Sequence, residues 1–368
     1  MITTYSMWNL FRNCRKAWEW RYLRELVPLN RERPFAFGAL IHSCLEMWHG
    51  GGSLDAVLEF IDAALPSRIR DESQKSDWHL ARAMMTGYAA RYPLESFEIV
   101  ALGETFEGRI VNPSSRRLSV AGKVDGIVKI GRDYYILEHK TTSQLDTDYL
   151  DRLWTDWQLS LYAHYIEQTL GVRVAGVIYN VLVKARLKPG KGESQAEFES
   201  RRADLLAKSK TGKTTATRKT PESDDAFAAR LAAKYLEPDM FYRETLYISR
   251  DQLDAMRADL WELTQQFLHS TRRGVFCRNT SYCLANHRTC PYFPLCRSNG
   301  SENVIANLYE HCPPHHAQHI QSLSPDGRSR RQAPRRGRSR PVRFVEAYGA
   351  GRSPVQSNNT KPIKEATR

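Results

Sequence analysis

The chain has 368 residues, 41% of them hydrophobic and eight of them tryptophan, enough for a substantial core in one large domain or two average ones. No apolar run reaches the roughly 18–20 residues of a membrane span, and the first residues lack the charged-then-apolar pattern of a secretory signal. These features predict a soluble, cytoplasmic protein and exclude a membrane partner. The net charge of +13 is unevenly placed, with +9 in residues 321–368 and +7 in residues 184–219, which leaves −3 for the rest of the chain. The basicity therefore belongs to two polar stretches that raise affinity for a polyanion without locating a substrate site.

Seven cysteines, Cys14, Cys44, Cys277, Cys283, Cys290, Cys296 and Cys312, are an odd number for a chain expected in the cytoplasm. Metal or cluster ligation explains them better than disulfides.

In chain order, Ser6 is the expected N-cap of a helix that carries Met7, Leu10, Phe11, Cys14, Trp18 and Tyr22 on one stripe. A second helix is expected over 37–48. His42 lies inside it, four residues after Gly38, as either a satisfied core histidine or a ligand. Gly38 weakens that helix by roughly 1 kcal/mol relative to alanine, which suggests a close backbone approach near a site. Helical segments follow to residue 92, then an extended stretch over 97–111.

Residues 122–130 and 134–140 read as two strands joined by Gly131-Arg132-Asp133. Strand alternation puts Ile136, Glu138 and Lys140 on one face, and Asp125 arrives from the neighbouring strand. Two carboxylates and an ammonium in that arrangement suit a divalent metal beside a phosphate. The alternative is a solvent-exposed, salt-bridged strand face.

An amphipathic helix is expected over 149–170, ended by Gly171, with Gln158 and Tyr162 four residues apart on one face. A strand over 172–183 completes a strand–hairpin–helix–strand order, which predicts a mixed α/β sheet with a crossover helix. Residues 184–224 are rich in Lys, Gly, Ser and Thr and read as a flexible insertion. Its Gly212-Lys213-Thr214 is no nucleotide-binding loop, because residue 207 is alanine where that motif needs glycine and no strand precedes it. A strand over 241–249 and a helix over 251–270 follow. Beyond residue 322 the Arg-, Ser- and Pro-rich composition predicts disorder.

Cys283, Cys290 and Cys296 are separated by six and five residues, wider than the two to four of a zinc knuckle. An iron–sulfur cluster tolerates that spacing and needs a fourth thiolate from Cys14, Cys44, Cys277 or Cys312. Spacing alone leaves both the metal and the fourth ligand open.

Gly38-x3-His42, Asp125, Glu138-His139-Lys140 and Gln158-x3-Tyr162, in that order, resemble the motifs of the PD-(D/E)XK nucleases. The similarity is to the RecB/AddB-like branch, which includes CRISPR-adaptation nucleases and phage-type exonucleases. It spans roughly residues 5–300, excluding the insertion. Val124 stands where the family's proline precedes the first aspartate, and Cys277 and Cys312 have no place in the pattern.

The resemblance implies a restriction-endonuclease-like core over 1–300, interrupted by the 184–224 insertion and followed by a tail over 322–368. It implies that Asp125, Glu138, His42 and the carbonyl of His139 hold Mg²⁺ or Mn²⁺, with Lys140, Gln158 and Tyr162 completing the catalytic set. It also implies a structural [4Fe–4S] cluster on Cys14, Cys283, Cys290 and Cys296. Its expected activity is that of a metal-dependent DNA exonuclease acting on ends or single strands, in recombination, repair or phage DNA processing. Such a protein would work in the cytoplasm of a bacterial or phage-infected cell, with a helicase or recombinase partner or as a homo-oligomer. Two other readings stand beside it: a catalytically silent iron–sulfur DNA-binding module, and a zinc-stabilised basic scaffold that leaves the acidic hairpin unexplained.

Overall fold

A computed structural model describes residues 1–29, 34–64, 72–110, 118–285 and 289–313. The tail expected over 322–368 lies outside the described residues.

The core is a five-stranded sheet whose central strands are apolar and buried along most of their length. β1 (Ile2–Thr3), α1 (Tyr5–Asn13), α2 (Arg15–Trp18), β2 (Leu26–Pro28), α3 (Pro34–His49), α4 (Leu54–Ala64) and α5 (Glu72–Arg91) precede it. Then come β3 (Glu98–Leu102), β4 (Thr105–Arg109), β5 (Ser119–Lys123), β6 (Gly126–Ile130) and β7 (Asp133–Thr142). Helices α6 (Thr147–Trp154) and α7 (Trp157–Leu170) cross over to β8 (Val174–Val183). The sheet order is β3-β6-β7-β8 and then β9 (Phe241–Tyr247), with only β7 and β8 parallel. β8 reads Val-Ala-Gly-Val-Ile-Tyr-Asn-Val-Leu-Val and is buried along nearly its whole length, as a strand covered on both faces must be.

Strand alternation divides the two faces. Ile136, Val177, Tyr179 and Val181 join α1, α7 and the long α10 (Arg250–Arg273) in one core. On the other side, Leu182 and Phe241 pack with α3, α5 and α9 (Asp224–Lys234). Phe11 ties the first core together through edge-on contacts with Trp8, Trp18 and Phe267 at centroid distances of 6.4, 5.8 and 5.2 Å.

The sequence expectations need four corrections. The first helix is capped by Thr4, whose hydroxyl accepts from the Met7 amide at 3.3 Å, and not by Ser6. It breaks at Cys14, whose backbone is extended, so the expected stripe through Tyr22 spans two helices and a π-helical turn over Glu19–Leu23. The run over 122–130 is two strands, because the chain leaves a small sheet of order β1-β5-β4 at Lys123 and enters the central sheet at Gly126. The helix expected over 149–170 breaks at Thr155-Asp156, and Asp146 and Asp156 each cap one half through their own carboxylates.

The insertion over 184–224 holds more regular structure than its composition suggests. It contains α8 (Gln195–Lys208), started by a Ser194/Glu197 capping box and carrying no buried residue. At the other end of the body, α11 (Phe293–Arg297) and α12 (Glu302–Leu308) lead to β10 (Tyr309–His311), which pairs antiparallel with β2. Tyr292 stacks on Tyr309 and donates its hydroxyl to the Leu26 carbonyl at 3.0 Å, so the chain's beginning and the end of its described part share one small core.

Phe11→Ala should cost about 3–5 kcal/mol, since it empties a dry aromatic junction between three helices. The expected readout is a lower urea midpoint with an unchanged slope; an unchanged midpoint would remove Phe11 from that role.

Candidate active site

Asp125 occupies the gap between two sheets. The β6–β7 ladder begins at Gly126↔Leu137, so the His139 amide has no strand partner on that side. It donates instead to Asp125 Oδ2 at 2.8 Å, and Asp125 Oδ1 meets His42 Nδ1 at 3.0 Å. Burial opposes ionisation of Asp125, but the hydrogen bond from His42, the nearby His139 and the His139 amide together hold it down at about 2. His42 moves the other way: burial disfavours its charge, and Asp125 outweighs that and lifts it. α3 therefore delivers His42 to the acid from the opposite side of the sheet's end.

Glu138 and Lys140 lie on the other face of β7, two residues apart. Lys140 Nζ donates to Glu138 Oε1 at 2.6 Å and to Gln158 Oε1 at 3.4 Å, and Gln158 Nε2 reaches Glu138 Oε1 at 3.5 Å. Burial pushes the Glu138 carboxyl up while the Lys140 charge opposes it; burial disfavours the Lys140 ammonium, and Glu138 more than restores it. Both contacts to Glu138 fall on Oε1, so Oε2 has no hydrogen-bond partner among the described residues. Tyr162, one turn beyond Gln158, is half-sandwiched between Phe106 and Tyr5, and burial lifts its phenol to about 12. Gly122 makes room for this packing, because a Cβ there would stand 2.5 Å from Phe106 and 3.2 Å from Tyr162.

All seven residues expected at the metal and catalytic site thus converge on one end of the sheet. Gly38 is less decisive than its cost to a helix suggested: an added Cβ would meet Thr141 Oγ1 at 3.6 Å, an ordinary contact. The reading of 138–140 missed Asp156. Its carboxylate takes hydroxyl hydrogens from Tyr5 at 3.2 Å and Tyr179 at 3.1 Å and adds to the field that keeps Lys140 charged. Thr-Asp in the middle of an apparent helix was the available signal.

A buried polar network on the reverse face of β7 was also missed. His139 Nδ1 lies 2.9 Å from Asn180 Nδ2, which also donates to the Tyr88 hydroxyl at 3.0 Å. Arg243 reaches that hydroxyl at 2.8 Å and forks onto Glu95. The His49 ring stacks on His139 with centroids 5.3 Å apart and an interplanar angle of 10°, and its Nε2 contacts Tyr88 at 3.1 Å. Every member has a partner, as low-dielectric surroundings demand. The network fixes the one peptide unit whose amide holds Asp125.

The cysteines sort themselves in space. Cys14, Cys283, Cys290 and Cys296 line one cavity of about 260 Å³, together with Ala17, Tyr282 and Phe293. The break between α1 and α2 places Cys14 there, with its sulfur accepting from the Asn279 amide at 3.5 Å. Cys44 is a core residue whose thiol burial pushes up to about 12. Cys277 and Cys312 use their backbones, pairing with Lys16 and Glu25, and do not line the cavity.

A family model for the PD-(D/E)XK nuclease superfamily matches residues 3–297. The chain belongs to that superfamily. Among solved structures it is similar to an exonuclease candidate from Eubacterium rectale, at 10% sequence identity and a TM-score of 0.38, covering 82% of this chain and 94% of that one. No curated protein matches the sequence. Among the described residues no helix is long and apolar enough to cross a membrane.

PD-(D/E)XK nucleases generally use Mg²⁺ or Mn²⁺. Among the described residues no three His, Cys, Asp or Glu side chains form a ready-made metal site. The donors nevertheless fit such an ion in kind. Magnesium keeps several waters and takes only one or two carboxylates from protein. An ionised Asp125 and the open Oε2 of Glu138 meet that requirement.

Two predictions follow from the reverse-face network. Burial lowers His49 to about 4 and His139 to about 3, from an ordinary 6.5. The unfolded chain therefore takes up these protons first, so the two imidazoles stabilise the fold fully above a pH of about 6.5 and lose that contribution as the pH falls toward about 4. A thermal midpoint independent of pH across that window would refute the burial of both rings as neutral groups. Arg243→Met strands Glu95 in the interior and should cost about 3–5 kcal/mol in chemical denaturation; a loss within experimental error would show the ion pair to be dispensable.

Proposed function

We propose that the protein is a divalent-metal-dependent DNA exonuclease of the RecB/AddB-like branch, acting on DNA ends or single strands. The observation that carries this reading is the meeting of Asp125, Glu138 and Lys140 at one end of the sheet, with His42 beside the first acid and Gln158 beside the lysine. A catalytically silent module has no need to keep a buried carboxylate–ammonium pair next to a second, strongly ionised acid. A divalent ion held by Asp125, Glu138, His42 and the His139 carbonyl would supply the acidity that makes water a nucleophile at neutral pH.

The chain's own residues do the rest. Lys140 keeps its proton because Glu138 and Asp156 surround it with negative charge, so it presents a fixed cation to the phosphoryl oxygens on which charge builds. Gln158 holds the ammonium from the side and limits its rotation. The water oxygen gives up one proton to solvent and bonds to phosphorus, the P–O ester bond breaks with its electron pair going to the leaving oxygen, and that oxygen takes up a proton from solvent. Tyr162, wedged between aromatic rings, sets how closely α7 approaches the strand that carries these groups.

The same reading assigns a structural [4Fe–4S] cluster to Cys14, Cys283, Cys290 and Cys296. Its support is that four of the seven cysteines face one cavity while the other three do not. The cavity's walls come from both ends of the described chain, so a group held there would clasp α1 and α2 to the C-terminal segment.

End-labelled single- and double-stranded DNA should be degraded with Mg²⁺ or Mn²⁺ and left intact with chelator. Asp125→Asn and Lys140→Met should each lose on the order of 10²–10³-fold in rate. Equal digestion by both variants would sink the site assignment, and absence of digestion by the parent protein under all metals would sink the activity. Anaerobically purified protein should be brown and contain iron and sulfide, both lost in Cys14→Ser. A colourless parent protein that holds zinc alone would overturn the cluster.

A further inference from the structure

The insertion over 184–224 is a built arm rooted at the rim of the site. Lys184 continues the β7–β8 ladder, its amide donating to the Thr142 carbonyl at 2.6 Å, two residues beyond Lys140. Arg186 then holds the Ser143 carbonyl at 2.9 Å and Gln144 Oε1 at 3.0 Å, while the Lys184 ammonium lies 4.5 Å from the Phe37 ring, at the start of the helix that carries His42. Behind these contacts, the buried Tyr235 hydroxyl donates to the Val183 carbonyl at 3.0 Å and accepts from the Ala185 amide at 3.2 Å.

The outgoing and returning legs pair at a neck. Gly190 and Glu222 exchange hydrogen bonds at 2.6 and 2.9 Å, and Glu193 and Lys219 do so at 2.7 and 3.0 Å. Arg230 forks onto Glu222 and Arg201 onto Glu193. Gly192 lies so close to Pro221 that a Cβ would approach it to 2.6 Å. Two of the arm's acids, Glu193 and Glu197, are thus consumed by the neck and by the cap of α8.

Glu199 and Asp204 stay exposed on α8, but cations dominate the loop and return leg beyond it. Lys208, Lys210, Lys213 and Arg218 are all exposed, and none has an ion-pair partner among the described residues. The neighbouring amino acids are Ser, Thr, Gly and Ala, too small to cover these charges or to form a core of their own. The remainder of the chain, outside this arm and the tail, carries −3 and would repel a polyanion. These hydrated cations stand on a braced arm rooted beside the site and are free to pair with an anionic occupant.

We propose that this arm grips the sugar–phosphate backbone of the nucleic-acid strand that enters the site. The inference rests on the reading of the site as a nuclease. A protein or lipid partner would need a broad apolar surface, and the outer half of the arm offers little: Leu205 is the one large hydrophobic side chain exposed on α8, and the return leg is Lys, Arg, Ser, Thr, Gly and Ala. The backbone charge of a nucleic acid, repeated at short intervals, matches a row of flexible ammonium groups that reads no sequence.

The test compares the full-length protein with the quadruple variant Lys208→Gln, Lys210→Gln, Lys213→Gln and Arg218→Gln. Binding of a fluorescent single-stranded oligonucleotide is measured by anisotropy, in chelator, across a salt series. Each lost phosphate contact should lower the slope of log affinity against log salt by about 0.7, for a total of up to about 3. The variant with Lys→Arg at the three lysines should keep the parent slope. Hydrolysis of a small chromogenic phosphodiester, too short to reach the arm, should be unchanged in every variant, while KM for long DNA rises. Equal affinity and slope for the parent and the Gln variant would overturn the inference even if cleavage is normal. Loss of slope in a protein that cleaves nothing would leave the arm assigned and reject the nuclease reading instead.

Discussion

One hydrogen bond organises the acidic end of the central sheet: the His139 amide donating to the Asp125 carboxylate. A strand ladder ordinarily satisfies its own amides, and here the ladder stops one residue pair early. The unpaired donor then fixes a side chain that belongs to the junction between two sheets. Asp125 is ionised because that amide and His42 point at it, and His42 is there because α3 packs on the same strand. The acid, the histidine and the peptide of residue 139 are therefore one unit, and none can move without the others.

Much of this was legible in the sequence, for identifiable physical reasons. The apolar runs of β7 and β8 are covered on both faces, so they read clearly, and alternation along β7 correctly put Glu138 and Lys140 together. Gly171 and Gly131 marked their turns because a left-handed backbone favours glycine. What composition hid was polar structure inside apolar stretches. Asp156 broke a helix that periodicity alone reads as continuous. Cys14 lies at an interruption, and the first helix is capped by Thr4 two residues before the expected cap. The network of Asn180, Tyr88, Arg243, Glu95 and His49 joins residues up to 194 apart in the chain. No local pattern encodes such a meeting. The insertion misled in the opposite direction: low hydrophobicity reads as absence of structure, yet ion pairs and backbone exchange at its neck give it a definite path.

The two faces of β7 divide labour. One carries Glu138 and Lys140, joined to Gln158 of α7. The other carries a buried polar network that sets the position of residue 139 and meets His42 edge-on, the His42 and His139 rings lying 6.1 Å apart. Such a division explains why so polar a cluster is buried at all: replacing it with hydrocarbon would pack as well, but it would leave the site-bearing peptide free to shift.

The antiparallel pairing of β2 with β10 has a temporal meaning. Leu26 meets His311, so this contact spans nearly the whole described chain and is among the last that a growing polypeptide can make. Closing so large a loop is slow, because its entropy must be overcome before the strands reward it. The sheet and its acids can assemble while the C-terminal segment is still being synthesised. The thiol-lined cavity, with walls from both ends, cannot. The pairing of β2 with β10 thus closes the longest loop of the described chain, after the strands that carry the acids have been made.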